Sequence, residues 1–559
     1  MTRAWLLALV FVGIGIVLRT RLFLEPRALW LDEAMLALNV VSRSFAGLVH
    51  PLDSNQACPL GVLWTTKLLV HFFGESEQVF RALPFAAGIG SMFVIWPMAR
   101  RLLPPGPAVA TVVWFAVAPN LLYYATEFKQ YGVAVLATAV LVWLAVEVAR
   151  DHSRGSWITL IIVGLVALFF SYSSIFVLGA VGIYLLIDGT RRFGAAAAVR
   201  PIMAGSIWLA GFAWEYWLLL RPLHANSWLH EYWSDGLYHG SLTSPLLVPW
   251  LALRSIAMVG TPFDFGHMEL GARTVAMALL LLLLGITAAW RRPHARLLLA
   301  LPFVFVELAA LLGWYPAGGR LVLFLSPLLL LLVGNGSSVL IEALRSRGWW
   351  IGLAGVVAVF FVPTVDAVRL VMDPPKKEEL PTVMDQILEK AESGDRIYVY
   401  HSALPAWDFY ARRDSLKTGE ESLRWSDFAI VRGDDVQQSL VALAEEVDRI
   451  AAKPGRVWIV FSHRVPVRSC DPDVLIQELL SGRGEELDTL GAPGADAILF
   501  RIRGSSPHEE HGLGPSLLRG DPEVLVEAPL ALPPPGWRAP SASPHPSLAD
   551  SVAGSRVAP

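Results

Sequence analysis

Two acids stand side by side, Asp32 and Glu33, in the stretch Leu29-Trp30-Leu31-Asp32-Glu33-Ala34-Met35-Leu36-Ala37-Leu38, just beyond a long apolar run. A carboxylate held where water meets lipid can take a proton from a hydroxyl. Further along, Tyr123-Tyr124-Ala125-Thr126-Glu127-Phe128-Lys129-Gln130-Tyr131 sets a carboxylate, an ammonium and three phenols in one short connection between apolar runs. Ionisable groups at such depth are costly and usually line a polar cavity. A third element, Trp314-Tyr315-Pro316-Ala317-Gly318-Gly319-Arg320, opens a late apolar run. Lys129 and Arg320 are cations suited to an anion, which they hold by charge-assisted hydrogen bonds. Each group also has a plainer reading. Asp is a good N-cap and Glu33 suits a first helical turn. Glu127 and Lys129 can pair to anchor their hairpin, and Arg320 can snorkel to the headgroups.

Elements that must carry these groups follow from composition. Hydrophobic residues make up 54% of 559, charged residues only 17%, and mean hydropathy is +0.51. A spanning helix needs ~20 apolar residues. Candidate spans run over 4–22, 79–98, 108–124, 131–149, 157–171, 173–188, 201–219, 272–290, 295–313, 321–341 and 349–368. The pair around Ser171-Tyr172-Ser173-Ser174 can also be taken as one broken helix. The first run is longer than a signal core and lacks a small-residue cleavage site after it.

Arg3, Arg100-Arg101, Arg150 with Arg154, Arg191-Arg192 with Arg200, Arg291-Arg292 with Arg296, and Arg345 with Arg347 occupy alternate connections. By the positive-inside rule these lie in the cytoplasm. The N-terminus is then cytoplasmic, and the long connections 23–78 and 220–271 and everything beyond 370 lie outside. Asp32 sits at the outer mouth of the bundle. Apolar residues 31, 35 and 38 share a helical face, so this stretch is expected to lie along the membrane surface, as is the one from Gln56-Ala57-Cys58-Pro59-Leu60 to Phe72-Phe73. The fold class is thus an α-helical polytopic membrane protein of about eleven transmembrane helices.

Composition divides the chain into a membrane domain 1–372, a domain 376–503 and a tail 504–559. In the second, helical patterns ending near Ser393, at 436–452 and at 473–481 precede the apolar strands 396–400, 456–461 and 497–500. Such alternation predicts a small parallel α/β domain outside the membrane. His401 and His463 each follow a strand, where α/β domains often hold ligands. Structural or acceptor-docking roles suit them better than a second active site. The Pro/Ser/Gly/Ala-rich tail predicts disorder, and its His508-Glu509-Glu510-His511 run lacks the spacing of a zinc helix. No internal repeat is evident. Net charge is −3, which gives no reason to expect a nucleic-acid partner. Cys58 and Cys470 both fall outside, where pairing is chemically permitted; two unrelated thiols is the simpler reading. Outward-facing His50, His224, His230, His239 and His267 form no ligand spacing, so no cofactor or metal site is expected.

The residues together resemble a known family. A long first outer loop with an Asp-Glu pair, the Gln56-Ala57-Cys58-Pro59-Leu60 stretch, the Tyr-x-x-Glu-Phe-Lys-Gln-Tyr hairpin and a Gly-Gly-Arg at a late span look like the GT-C glycosyltransferases of the family 39 type. These are relatives of protein O-mannosyltransferases and of the aminoarabinose transferase of lipid A. The resemblance covers roughly residues 1–370. Many relatives carry His-Pro-Pro or Ala-Pro-Pro where this chain has Ala57-Cys58-Pro59, so any family role for a histidine there is missing.

That resemblance implies a polyprenyl-phosphate-linked sugar as donor, a lipid, glycan or protein hydroxyl as acceptor, and a bacterial inner (plasma) membrane location. Sugar leaving as a phosphate needs cations rather than an acid, and Lys129 and Arg320 face outward. The acceptor hydroxyl needs a base, for which Asp32 is the candidate. Glu33, Gln56, Glu127 and Tyr131 complete the expected substrate-binding set, with Glu33 or Glu127 orienting acceptor or sugar. A single displacement would invert the anomeric centre. Trp214, Trp217, Trp228, Tyr232 and Trp233 can stack on sugar or form a lid, though an interfacial aromatic belt accounts for them as well. Two other functions compete: a transporter or flippase without transferase chemistry, and a scaffold that presents the 376–503 domain.

Overall fold

The computed structural model describes residues 2–263, 271–288, 290, 294–415, 424–436, 439–464 and 471–503. Cys470, His267, Arg291-Arg292 and the tail 504–559 lie outside the described residues. The chain forms two compact units, one of Met1–Pro26 with Asn39–Pro375, the other of Arg27–Leu38 with the chain from Lys376 on. The segment 27–38, read above as part of the membrane domain, thus groups with the C-terminal unit.

All eleven candidate spans are helical. They include Thr2–Leu24, Glu77–Leu102, Pro105–Val117, Tyr131–Asp151, Arg154–Phe170, Ser174–Phe193, Val199–Glu215, Gly271–Thr287, Ala295–Leu311, Ser326–Arg345 and Trp349–Met372. Among the described residues, seven helices are long and apolar enough to cross a membrane by length and composition. The protein is a multi-pass membrane protein, and the apolar side chains its helices leave exposed, such as Leu6, Val10, Ile158 and Ile162, suit contact with lipid. The stretch around Ser171 separates two helices rather than bending one: the Ser171 and Ser173 hydroxyls meet at 3.0 Å, and the Ser174 hydroxyl donates to the carbonyl of Ala167 at 3.1 Å.

One buried charge holds the first helix in place. Pro119 follows Pro105–Val117 and has no N–H for the Phe115 carbonyl, while the N–H of Asn120 goes to Pro262 instead. Arg19, 1% exposed, supplies the missing donors to Phe115 at 3.1 Å and Ala116 at 3.5 Å, and also bonds Gly15 at 3.0 Å. A cation at a helix C-terminus is well placed against the helix dipole.

The C-terminal unit carries a five-stranded sheet of β1 (Arg396–Val399), β2 (Ala429–Arg432), β3 (Gly455–Ser462), β4 (Gly484–Ala492) and β5 (Ala495–Ile502), in the order β2-β1-β3-β5-β4. β1 pairs in parallel with β2 and β3. The expected all-parallel arrangement is corrected at β5, which runs antiparallel to β3 and β4. A two-residue connection, Pro493-Gly494, leaves no room for a crossover, which needs a dozen residues or more. Gly494, at φ 70, takes the left-handed conformation such a turn requires. Helices Leu440–Ala451 and Pro472–Ser481 pack Leu443, Val447, Ile450, Ile476 and Leu480 against Tyr398, Val457, Ile459, Phe461 and Phe500. Leu380–Lys390 packs on β4 and β5 through a face containing Leu380, Val383, Met384 and Ile387.

Candidate functional site

The hairpin between Pro119–Tyr123 and Tyr131–Asp151 is buried: Ala125, Thr126, Glu127, Phe128 and Lys129 are each at most 5% exposed. Loops normally run over the surface because their backbone groups need water. This one is satisfied from within. Thr126 donates from its N–H and its hydroxyl to the Tyr123 carbonyl, at 2.9 and 3.0 Å, and the N–H of Lys129 donates to Glu127 at 2.7 Å. The Phe128 ring lies 5.2 Å from that of Phe80. Gly132 allows the hairpin to fold back on its own helix, since an added Cβ would meet the Tyr124 carbonyl at 2.9 Å.

The hairpin brings together residues far apart in sequence. Lys129 donates from Nζ to Oε1 of Gln56 at 2.7 Å, and Gln130 reaches the Ala57 carbonyl at 3.5 Å. Tyr172 donates to the Cys58 carbonyl at 2.9 Å, and Asn226 of the second outer connection donates to Asn55 at 2.8 Å. Four contacts therefore fix the segment 55–58. Cys58 is a buried free thiol. Arg320, half-buried, lies between two rings, 5.7 Å from the centroid of Tyr131 and 5.7 Å from that of Trp233. Gln56 is thus joined to Lys129, and Arg320 to Tyr131, within one unit, and Glu127 is buried in the same hairpin as Lys129.

Trp233 differs from its aromatic neighbours. Trp214, Trp217, Trp228 and Tyr232 are 57%, 64%, 50% and 57% exposed, as in an interfacial belt. Among the described residues, no group of three or more His, Cys, Asp or Glu is arranged to hold a metal ion.

Asp32 and Glu33 belong to the other unit, in the helix Leu31–Ser42. The N-cap reading of Asp32 is corrected: the carbonyl of Trp30 accepts the N–H groups of Glu33 and Ala34 at 2.8 and 2.9 Å, which makes Trp30 the cap and puts Asp32 one residue inside the helix. The buried face is also displaced from the expected 31/35/38. Glu33, Ala34, Leu36, Ala37 and Val40 are buried, whereas Leu31, Asp32, Met35 and Leu38 are half-exposed. Of the two acids, Glu33 is fully buried, whereas Asp32 keeps partial exposure as a residue, with its Oδ2 shielded from solvent.

The loop before this helix is held by residues from near the C-terminal sheet. Leu31 donates its N–H to Oε2 of Glu378 at 2.7 Å, Leu29 to the hydroxyl of Tyr410 at 2.7 Å, and Ala28 to Oε1 of Glu379 at 3.1 Å. The Lys377 ammonium lies 3.7 Å from the centroid of Trp30. His463 contacts Glu378 through Nδ1 at 2.7 Å. The sequence singled out only His463 of this group. His401 lies 3.5 Å from Asp435, and burial lowers its basicity. Arg19 and Arg81, 1% and 4% exposed, are further buried cations outside the expected site set. The signal for both was present, an arginine in an apolar helix.

Residues 57–217 match the family model described as dolichyl-phosphate-mannose-protein mannosyltransferase. The match takes in the helix Leu60–Phe73 and the whole buried hairpin. It agrees, over those residues, with the resemblance to GT-C membrane glycosyltransferases drawn from the motifs, while Asp32, Glu33, Gln56 and Arg320 lie outside it. No curated protein matches the chain in sequence. Similar solved structures include ArnT from Cupriavidus metallidurans in the apo state, at 15% identity over 88% of this chain and 97% of that one, TM-score 0.49. The same protein bound to undecaprenyl phosphate gives 14% identity over 90% and 99%, TM-score 0.48. The archaeal oligosaccharyltransferase AglB from Archaeoglobus fulgidus, in complex with an inhibitory peptide and a dolichol-phosphate, gives 9% over 91% and 75%, TM-score 0.45.

Proposed function

We propose that this chain transfers a sugar from a polyprenyl-phosphate donor to an acceptor hydroxyl on the outer face of a bacterial inner membrane, with inversion at the anomeric carbon. The observation that carries the proposal is the family match over 57–217, which contains the buried Lys129 and spans the hairpin that binds Gln56. An ammonium held in a buried loop by a neighbouring side chain is the kind of group that stabilises a developing phosphate charge without reorganising.

In this mechanism the Asp32 carboxylate removes the proton from the acceptor hydroxyl. The acceptor oxygen attacks the anomeric carbon as the bond from that carbon to the phosphate oxygen breaks. Polyprenyl phosphate departs as an anion, and Lys129 and Arg320 stabilise its charge. No acid is needed at the leaving oxygen. Glu33 and Glu127 orient acceptor or sugar, and Tyr131 holds Arg320 from one side. Arginine clusters in alternate connections support the outward orientation.

The test is Asp32→Asn, assayed with a polyprenyl-phosphate sugar donor and envelope acceptors. Transfer should fall by ~10²–10⁴-fold, the usual worth of a general base, with donor binding retained. Undiminished transfer removes Asp32 as the base. Loss of lipid flux in vesicles, with no glycosylated product from wild type, replaces the transferase with a transporter.

A further inference from the structure

Open α/β sheets hold their ligands at the carboxyl ends of parallel strands, where the strand order reverses. Here that point lies between β1 and β3, because the chain passes from β1 to β2 on one side and on to β3 on the other. His463 directly follows β3. It sits at φ 51, in the left-handed region that a non-glycine side chain keeps only when its surroundings hold it there. A segment of the same chain occupies this place. The Trp30 ring lies 6.4 Å from that of His463, and Arg27–Leu38 forms one compact unit with the sheet.

Glu378 is the centre of the contact. It is 5% exposed and engaged at both oxygens: Oε2 accepts the N–H of Leu31 at 2.7 Å and the hydroxyl of Ser462 at 3.4 Å, and Oε1 meets Nδ1 of His463 at 2.7 Å. Its backbone is fixed on either side. The carbonyl of Lys377 packs on Gly494, where an added Cβ would lie 1.6 Å from the oxygen, and the N–H of Glu379 donates to Pro493 at 2.8 Å. A turn of the sheet therefore sets Glu378. Glu378 in turn caps, from outside, the helix whose second residue is Asp32. A carboxylate on a first-turn N–H is a charge-assisted bond at the positive end of the helix dipole.

We infer that the C-terminal α/β domain is a positioning device for the acid loop, with Glu378 and His463 as positioning residues that fix the start of the helix Leu31–Ser42 and so the direction of the Asp32 carboxylate. Neither is catalytic. This inference rests on the assignment of Asp32 as base, and its test has a readout independent of transfer.

Full-length Glu378→Ala, in lipid nanodiscs, is compared with wild type by hydrogen exchange and by kinetics. Exchange in peptides covering 27–38 should rise roughly tenfold or more, as loss of one charge-assisted bond requires, while β1, β3 and β5 stay protected. kcat should fall with the donor KM unchanged, and Glu378→Gln, which keeps an acceptor oxygen for Leu31, should recover most of both. His463→Ala, milder on the fold, should move exchange and kcat in the same direction by less. Unchanged exchange over 27–38 in Glu378→Ala overturns the inference. So does raised exchange with wild-type kcat in a protein that Asp32→Asn inactivates. Raised exchange over 27–38 alongside full transfer by Asp32→Asn sustains the clamp and refutes the base instead.

Discussion

Replacing Lys129 by Met tests the proposed chemistry most directly. Met keeps the length and bulk of the lysine stem, so the Phe80–Phe128 packing and the fold-back at Gly132 survive. The hydrogen bond to Gln56 and the charge are lost. A single preorganised donor at a developing anion is worth ~2.7–4 kcal/mol. The electrostatics agree, since unit charges 4 Å apart at an effective dielectric of 20 interact by about 4 kcal/mol. At ~1.36 kcal/mol per factor of ten, kcat should fall ~10²–10³-fold. Gln56→Ala leaves the charge and removes only one acceptor that aims it, so its loss should be nearer tenfold, the worth of one bond to a charged group. Unfolding temperature should change little in Lys129→Met, because the lost bond is offset by no longer burying an ammonium. The assay is single-turnover transfer from a radiolabelled polyprenyl-phosphate sugar, with donor binding measured separately. A Lys129→Met enzyme within about threefold of wild-type kcat would refute the reasoning.

Trp233→Ala should raise the donor KM by ~2–30-fold, from a cation–π contact to Arg320 worth ~0.5–2 kcal/mol. Trp228→Ala, at a residue 50% exposed, should leave KM alone; equal effects would return Trp233 to the aromatic belt. Gly494→Ala forces a Cβ onto the Lys377 carbonyl at a positive φ. It should destabilise the protein by ~2 kcal/mol or more, read as a lower unfolding midpoint with increased hydrogen exchange over 27–38. Asp496 is pushed up to about 7, chiefly by burial and then by Asp473 and Asp471, while Arg464 opposes the shift. Because the folded value exceeds the unfolded one of ~3.9, its stabilising contribution is complete below about pH 4 and is lost as pH rises to about 7. Wild type should lose more melting temperature between pH 5 and pH 8 than Asp496→Asn, and equal slopes would show that Asp496 titrates normally.

The membrane helices were legible because length and apolarity are local properties of the chain: all eleven apolar stretches are helical, and seven helices among the described residues also have spanning length. The hairpin was legible because Glu127 and Lys129 are out of place at that depth. What escaped the sequence depends on distant partners. β2 is four residues, Ala-Ile-Val-Arg, on a sheet edge with no buried alternation. β4 is interrupted by Glu, Asp and Gly and shifts register between Glu486 and Asp488, as edge strands often do. Glu378 lies in Lys376-Lys377-Glu378-Glu379, a charge run that reads as a solvated linker. Its burial comes from the Pro493-Gly494 turn and His463, neither of which leaves a mark on the local pattern.

The proposed roles divide between the units as the substrates divide between phases. A polyprenyl donor stays in hydrocarbon, so the cations that meet its phosphate belong on elements fixed by helix packing. Lys129 sits in a loop buried among membrane helices, and Arg320 at the start of one. An acceptor hydroxyl arrives from water, so the base that deprotonates it belongs on a segment organised by water-soluble structure. Asp32 lies on the twelve residues that group with the α/β unit rather than with the helices that flank them in sequence. Capping by Glu378 and the packing of Trp30 against His463 hold the start of its helix. A general base needs just such a fixed direction to meet an incoming hydroxyl.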